Sequence, residues 1–321
     1  MPGPPDDAPH QDLPEDDLAN ARTTETHVAV APLSTMRDRP TLTLLSGVDA
    51  GKLFALDAPE TIIGRARDAG VRIDDVGISR QHARLIRRHD RTFIIEDMGS
   101  TNGVFVNGER TLNIDLLPGD QVQIGPNVTL RFSLVDSSEE TLARQLFDSS
   151  TRDALTRAFN RKYLMGRLVA EVAYAERHKA KMGLILFDLD HFKQTNDTYG
   201  HVAGDAVLHS VAGLVSRLIR TEDVFARYGG EEFVVLVRGI PHENVARFAE
   251  RIRHGIEELA VPWETQSLTA RVSLGVASLV EDGAQPISKR GASATGEALL
   301  ELADARLYKA KAAGRNRVVA Q

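Results

Sequence analysis

Arg227-Tyr228-Gly229-Gly230-Glu231-Glu232-Phe233 is the stretch on which the reading of this chain turns. Phe225–Tyr228 and Phe233–Val237 have the composition of strands, so the Gly-Gly pair between them predicts a hairpin in which glycine is free to take positive φ. Glu231 and Glu232 then stand at a strand tip. Upstream, Leu184-Ile185-Leu186-Phe187 is a continuous apolar run of buried-strand type. Asp188 and Asp190 follow at its end, the edge at which open α/β sheets bind ligands. Carboxylates from two neighbouring strand ends can converge there, and hard oxygen donors of this kind suit magnesium, which completes its shell with water and substrate phosphates.

A Gly-Gly turn flanked by glutamates is a weak signal alone, and the surrounding segments decide it. They are Asp153-Ala154-Leu155-Thr156 with Phe159-Asn160-Arg161, the run from Asp188 through Phe192-Lys193, Asn196-Asp197 and Gly200-His201 to Gly204-Asp205, and Ala303-Asp304 through Lys311 to Arg315-Asn316. From about Asp153 to the end of the chain this set resembles the GGDEF diguanylate cyclase family. The resemblance implies an α/β, nucleotidyl-cyclase-like domain with a central antiparallel sheet and flanking helices. It also implies a bacterial signalling enzyme that condenses two GTP into cyclic di-GMP, releasing two pyrophosphates, across the interface of a homodimer.

Carried over position by position, the resemblance assigns Asp188, Glu231 and the backbone carbonyl of Leu189 to a Mg²⁺ (or Mn²⁺) site. Glu231, Glu232 and Lys193 become the catalytic set, with the role of Glu232 less settled than that of Glu231. Asn196 and Asp205 match the guanine-reading pair, an amide and a carboxylate that satisfy the edge of guanine where adenine would leave groups unpaired. Lys193, Lys311 and Arg315 match phosphate contacts. Bland readings stand beside these: Asn196-Asp197 as a turn, Asp205 as a helix N-cap, and Lys311 with Arg315 as cations complementing a helix C-terminus. Arg220-Thr221-Glu222-Asp223 matches the family's RxxD inhibitory site for cyclic di-GMP, with Arg251 as the additional arginine. The Gly275 strand, Ser273–Val276, is read as architecture, its glycine admitting close backbone approach.

The front half differs in kind. Residues 1–40 hold seven of the thirteen prolines and eight acidic against three basic residues, a composition that cannot bury enough apolar surface to fold alone. Between Thr41 and about Val135, short strand-like runs broken by turns predict an all-β sandwich. Within it, Gly64-Arg65, Ser79-Arg80-Gln81-His82 and Gly99-Ser100-Thr101-Asn102-Gly103 resemble a forkhead-associated (FHA) domain. That resemblance implies binding of a phosphothreonine peptide, with Arg65 and Arg80 on the phosphate, Ser79 and Thr101 adding hydroxyls, and Asn102 holding the peptide backbone. His82 is expected to brace the Ser79 loop, and Asn107-Gly108 to form a hairpin turn.

Thr23, Thr24 and Thr26 lie in the tail just ahead of the sandwich, and are expected as sites for a Ser/Thr kinase whose product the FHA face would capture in cis or in trans. Unmodified linker threonines are the plain alternative. Residues 136–152 read as a coupling helix or linker with Leu142 and Leu146 on one face, which leaves 153–321 to the cyclase.

The chain of 321 residues contains no cysteine, which removes disulfide and thiolate chemistry. Its net charge of −6 argues against broad nucleic-acid binding. No apolar run approaches a membrane span and no basic-then-apolar leader opens the sequence, so a cytoplasmic chain without a membrane partner is expected. Besides a regulated cyclase, two other classes compete: a catalytically silent cyclic di-GMP sensor, and a phosphopeptide-binding scaffold.

Overall fold

Alternation of apolar and polar residues in short strands builds the first half of the chain. The computed structural model describes residues 36–75, 77–281, 287–289 and 291–321; Thr23, Thr24 and Thr26 lie outside this range. Eleven strands come first: β1 (Arg39–Leu44), β2 (Leu53–Ala55), β3 (Glu60–Gly64), β4 (Val71–Arg72), β5 (Ala83–Arg87), β6 (Phe93–Asp97), β7 (Val104–Val106), β8 (Glu109–Thr111), β9 (Asn113–Leu116), β10 (Gln121–Ile124) and β11 (Val128–Val135). They form a six-stranded sheet, β2-β1-β11-β10-β7-β8, and a five-stranded sheet, β4-β3-β5-β6-β9. Leu42, Leu130 and Phe132 of one sheet and Ile63, Leu85 and Ile95 of the other join in one buried core. Each such side chain contributes about 1.5–3 kcal/mol on leaving water. At the β7–β8 hairpin Asn107 and Gly108 take φ of 51° and 88°, the two positive values a twisted two-residue turn requires.

The connecting helix α1 (Ser137–Thr151) is capped by Asp136, whose carboxylate accepts from the amides of Ser138 and Glu139. Glu139 returns a bond to the Asp136 amide, which completes a capping box. Leu142 and Leu146 share a helix face, and both remain exposed.

The second half comprises α2 (Arg161–His178), β12 (Met182–Leu189), α3 (Phe192–Tyr199), α4 (His201–Leu218), β13 (Val224–Arg227), β14 (Glu232–Arg238), α5 (His242–Glu257), β15 (Val261–Trp263), β16 (Gln266–Leu268), β17 (Val272–Ser278), α6 (Ala292–Ala312) and β18 (Val318–Val319). Its main sheet runs β13-β14-β12-β17-β18, antiparallel except for the short parallel pair at the β18 edge. Every residue of β12 is buried, and from Met182 to Phe187 its sequence carries no polar side chain and no alternation; Asp188 is the exception. The two faces are nonetheless distinct: Ile185, Phe187 and Leu189 pack with α4 and α5, whereas Leu184 and Leu186 pack with α2 and α6. Parity therefore puts Asp188 on the α6 side.

Gly275 in β17 is where α6 comes closest. A Cβ there would collide with the Ala303 carbonyl and stand 2.5 Å from the Leu307 amide, so only glycine admits the helix at this depth. The two halves meet through charge and through Val48 of the sandwich, which packs against the core beneath α2. Arg238 of β14 pairs both with Asp74 of the sandwich and with Glu171 of α2, a carboxylate buried to 2 % exposure. Arg167 joins Glu171 at 2.7 Å, and the Tyr163 hydroxyl donates to Asp49 at 2.6 Å. Arg67, two residues beyond Arg65, pairs with Glu222 at 2.6 Å.

Candidate active site and accessory sites

The hairpin tip between β13 and β14 carries the acidic pair as expected, but without the positive φ that its glycines, Gly229 and Gly230, allow. A Cβ on Gly229 would lie 2.5 Å from Glu232 Oε2, the mobile end of that side chain, so the glutamate would have to shift only slightly. The tip is held by Arg227, whose guanidinium donates to the Gly230 carbonyl at 2.6 Å and pairs with Asp153 at 3.1 Å. Arg227 is a structural participant that the sequence reading did not assign; its sole signal was its place immediately before the turn.

Asp188 and Glu232 face each other across β12 and β14, and Glu231 adjoins them. Lys311, at the end of α6, brings its Nζ to 2.8 Å from Asp188 Oδ1. Burial raises the pKa of Asp188 above the ordinary carboxylate value, against the pull of Lys311. Glu231 and Glu232 are raised as well, first by burial and then by repulsion from Asp188, with Lys311 again opposing. Like charges placed directly opposite in a sheet oppose folding. Their concentration at one strand end makes this a place that favours added positive charge.

Among the described residues no three His, Asp or Glu side chains stand together as a closed metal cage. Asp188 and Glu231, whose carboxylates repel one another at this strand end, supply two hard oxygen groups. This set fits magnesium, which is ordinarily bound through one or two carboxylates and otherwise by water and phosphate oxygens.

Asp190 lies close enough to add its repulsion to the burial that raises the Asp188 pKa, but its own oxygens are engaged elsewhere. Its Oδ1 accepts from Ser273 Oγ at 2.7 Å and its Oδ2 from the Asn316 amide at 2.9 Å. Asn196 lies within α3 rather than in a turn, and its buried side-chain oxygen has no hydrogen-bond partner. It abuts Gly204, where any Cβ would strike it. Asp205 is not the N-cap of α4, which starts at His201 after Gly200; it sits exposed on the helix one residue beyond Gly204. Lys193 is exposed on the first turn of α3. Arg315 lies past the end of α6 with φ of 63°, so a helix-terminal reading does not hold for it.

Arg220, Asp223 and Arg251 line one cavity of about 250 Å³ together with Arg247 and Phe248. The Asp223 carboxylate accepts from the Arg220 amide at 3.0 Å, and burial raises its pKa. Arg251 stacks over Phe248 at 4.6 Å.

On the sandwich, Arg65 and Arg80 are exposed on adjacent loops tied by backbone bonds from the amides of Arg65 and Ala66 to the carbonyls of Ser79 and Arg80, 3.1 Å each. Gly64 permits this approach, since a Cβ would meet the Arg80 carbonyl. The Ser79 hydroxyl accepts from the Thr101 amide at 3.2 Å, and the Asn102 side-chain amide donates to the Gly77 carbonyl at 2.8 Å. His82 is fully buried: its Nδ1 accepts from the Ser79 amide and its Nε2 lies 3.0 Å from the Gly103 carbonyl. This is the bracing expected of it.

Comparison with known proteins agrees with this architecture. The family model "Diguanylate cyclase, GGDEF domain" matches residues 150–317, and the "FHA domain" model matches residues 61–125. The chain belongs to the diguanylate cyclase GGDEF-domain family, with an FHA domain N-terminal to the GGDEF domain. It is 37 % identical over 170 residues to the probable diguanylate cyclase DgcT of Escherichia coli K12, covering 52 % of this chain and 35 % of that protein. Against diguanylate cyclase A of Treponema denticola it is 35 % identical over 178 residues, 54 % of this chain and 45 % of the relative. The chain thus spans less than half the length of these curated relatives. The crystal structure of the coiled coil and GGDEF domain of DgcB from Caulobacter crescentus, in complex with c-di-GMP, superposes with a TM-score of 0.50 at 32 % identity, covering 57 % of this chain and 91 % of that one.

Proposed function

We propose that this chain is a diguanylate cyclase that condenses two GTP into cyclic di-GMP and two pyrophosphates. The observation that carries the reading is the crowding of Asp188, Glu231 and Glu232 at one strand end, all with raised pKa, beside Lys311. Such a site is electrostatically incomplete by itself and is satisfied by a metal-bound polyphosphate. Asp188, Glu231 and the Leu189 carbonyl would hold Mg²⁺ or Mn²⁺, which when bound would polarise the α-phosphate and neutralise charge on its oxygens. Lys193, Lys311 and Arg315 would orient the triphosphate. Asn196 and Asp205 would read guanine; Asn196 packs against Gly204, one residue before the exposed Asp205. With no covalent nucleophile in view, catalysis rests on positioning and on electrostatic stabilisation. Each domain offers one GTP site, so turnover requires two copies face to face.

Cyclic di-GMP is assigned to the Arg220, Asp223 and Arg251 cavity as a feedback inhibitor. The three groups share that cavity, and arginine both stacks on and forks onto guanine. Residues 41–135 are assigned to phosphothreonine capture through Arg65, Ser79, Arg80, Thr101 and Asn102, with Thr23, Thr24 and Thr26 as kinase targets and residues 136–152 coupling this domain to the cyclase at 153–321. The two exposed arginines on adjacent loops support this. The test is incubation of the full chain with GTP and Mg²⁺, with and without kinase treatment, and chromatographic resolution of products. Cyclic di-GMP formed by the native chain and absent with Glu231→Ala is the expected result. Absence of product in every state, from protein that still binds cyclic di-GMP, would leave a sensor.

A further inference from the structure

The carboxylate that turned away from the acidic cluster has a task of its own. Asp190 is two residues beyond Asp188, and its own amide is fixed to the Arg271 carbonyl at 2.8 Å. One carboxylate oxygen receives Ser273 Oγ of β17, and the other receives the Asn316 amide at 2.9 Å. Asn316 directly follows Arg315. Gly314, Arg315 and Asn316 have φ of 110°, 63° and 45° in succession, so two residues bearing side chains occupy the left-handed region back to back. Such backbone persists only where its surroundings over-determine it. Here the anchors are Asp190 on the Asn316 amide, and Glu257 and Arg253 on the Asn316 side chain at 2.7 and 3.0 Å.

We infer that Asp190 is a positioning residue for Arg315: it locks the strained Arg315-Asn316 turn onto the end of β12, so that the guanidinium is held ready for a GTP phosphate beside the strand that carries Asp188. This rests on the reading of Arg315 as a phosphate contact. One strand end thereby sets both sides of the site, Asp188 through its own side chain and Arg315 through the Asp190 clamp. The Lys311 ion pair to Asp188 comes from the preceding turn of the same segment, so the C-terminal stretch is registered against the end of β12 by two acids, Asp188 within the strand and Asp190 just past it.

The test uses the full chain with Mg²⁺ and 3′-deoxy-GTP, which binds but cannot cyclise, in calorimetry, together with steady-state kinetics on GTP. Asp190→Ala is expected to weaken 3′-deoxy-GTP binding and raise KM by about tenfold, the scale of one lost charge-assisted contact, with a smaller change in kcat. Asp190→Asn is expected to restore both to within about threefold, because its oxygen still accepts from the Asn316 amide while its NH₂ donates to Ser273 Oγ. In an Arg315→Ala background, Asp190→Ala is expected to add nothing. Additive losses in that double variant, or an Asp190→Asn as impaired as Asp190→Ala, would overturn the proposal in favour of a direct charge effect. Should Asp190→Ala not fold, as judged by thermal unfolding, Asp190→Ser gives the same comparison with a side chain too short to clamp. If Arg315→Ala alone binds 3′-deoxy-GTP like the native chain, the phosphate role of Arg315 falls and the clamp falls with it.

Discussion

Lys311 Nζ stands 2.8 Å from Asp188 Oδ1, so the cation delivered by the end of α6 serves as counter-ion to a buried acid at the end of β12. The pair answers part of the burial cost of Asp188 and also tempers the protonation of Glu231 and Glu232.

Removing that cation should be read in the pH profile. Metal binding needs the carboxylates ionised, so their raised pKa values in the metal-free chain set protons in competition with the metal as pH falls, which gives activity an acidic limb. Lys311→Met should move this limb to higher pH and lower kcat/KM by about tenfold or more at neutral pH, as expected for a lost phosphate contact. The check is kcat/KM against pH for both proteins.

Glu231→Gln should abolish cyclase activity and yet stabilise the ligand-free chain. A carboxylate whose folded pKa is raised binds its proton more tightly when folded, so its contribution favours folding below the unfolded pKa and is lost as pH rises through the folded one. The gain from Glu231→Gln, about 0.5 kcal/mol after allowance for partial solvent screening, should therefore be full at pH 7.5 and vanish as pH falls below the ordinary carboxylate range. Thermal unfolding of both proteins across that interval measures it.

At Gly275, alanine would press α6 away from β17, because the Ala303 carbonyl is rigid backbone and cannot yield. Gly275→Ala should cost about 3 kcal/mol, at the upper end of overpacking penalties. It should also shift Lys311 and depress activity in molecules that remain folded. Chemical denaturation and kcat on the soluble fraction test this.

His82→Ala should strike only the sandwich. It strands the Ser79 amide and the Gly103 carbonyl in a fully buried place, for roughly 2–3 kcal/mol. It also loosens the loops carrying Arg80 and Thr101. A phosphothreonine peptide should bind at least about tenfold more weakly on that scale of loss, while GTP turnover in the absence of peptide holds. Fluorescence anisotropy with a labelled phosphopeptide is the measurement.

Arg238→Ala should leave Glu171 with only Arg167 in a site of 2 % exposure, and it removes the link to Asp74 between the two halves. Loss of one partner from a buried ion pair costs about 3 kcal/mol. Asp74→Asn, which is on the more exposed side, should cost well under 1 kcal/mol in unfolding. Comparing the two separates the fold of the second half from its docking to the sandwich.

Much of this was open to reading along the chain. The apolar run before Asp188, the strands around Gly229-Gly230 and the Asn107-Gly108 turn follow from local composition, because burial and turn geometry act over a few residues, whereas the bracing role of His82 came with the FHA resemblance. Even the close approach at Gly275 has a local sign. What sequence determined, then, was which segments become strands and helices and which chemistry sits at their ends. Tertiary structure alone decided where neighbouring side chains of one motif would point. Asp188 and Asp190 are two apart and chemically identical, yet one meets Lys311 and the other Ser273 and Asn316, because β12 ends between them and strand parity no longer governs the second. The same holds for Arg315, carried beyond its helix into a left-handed turn, and for Arg238, whose partners Asp74 and Glu171 lie far from it in the chain. Such pairings are fixed by packing between distant elements, whose relative placement no local pattern of residues encodes.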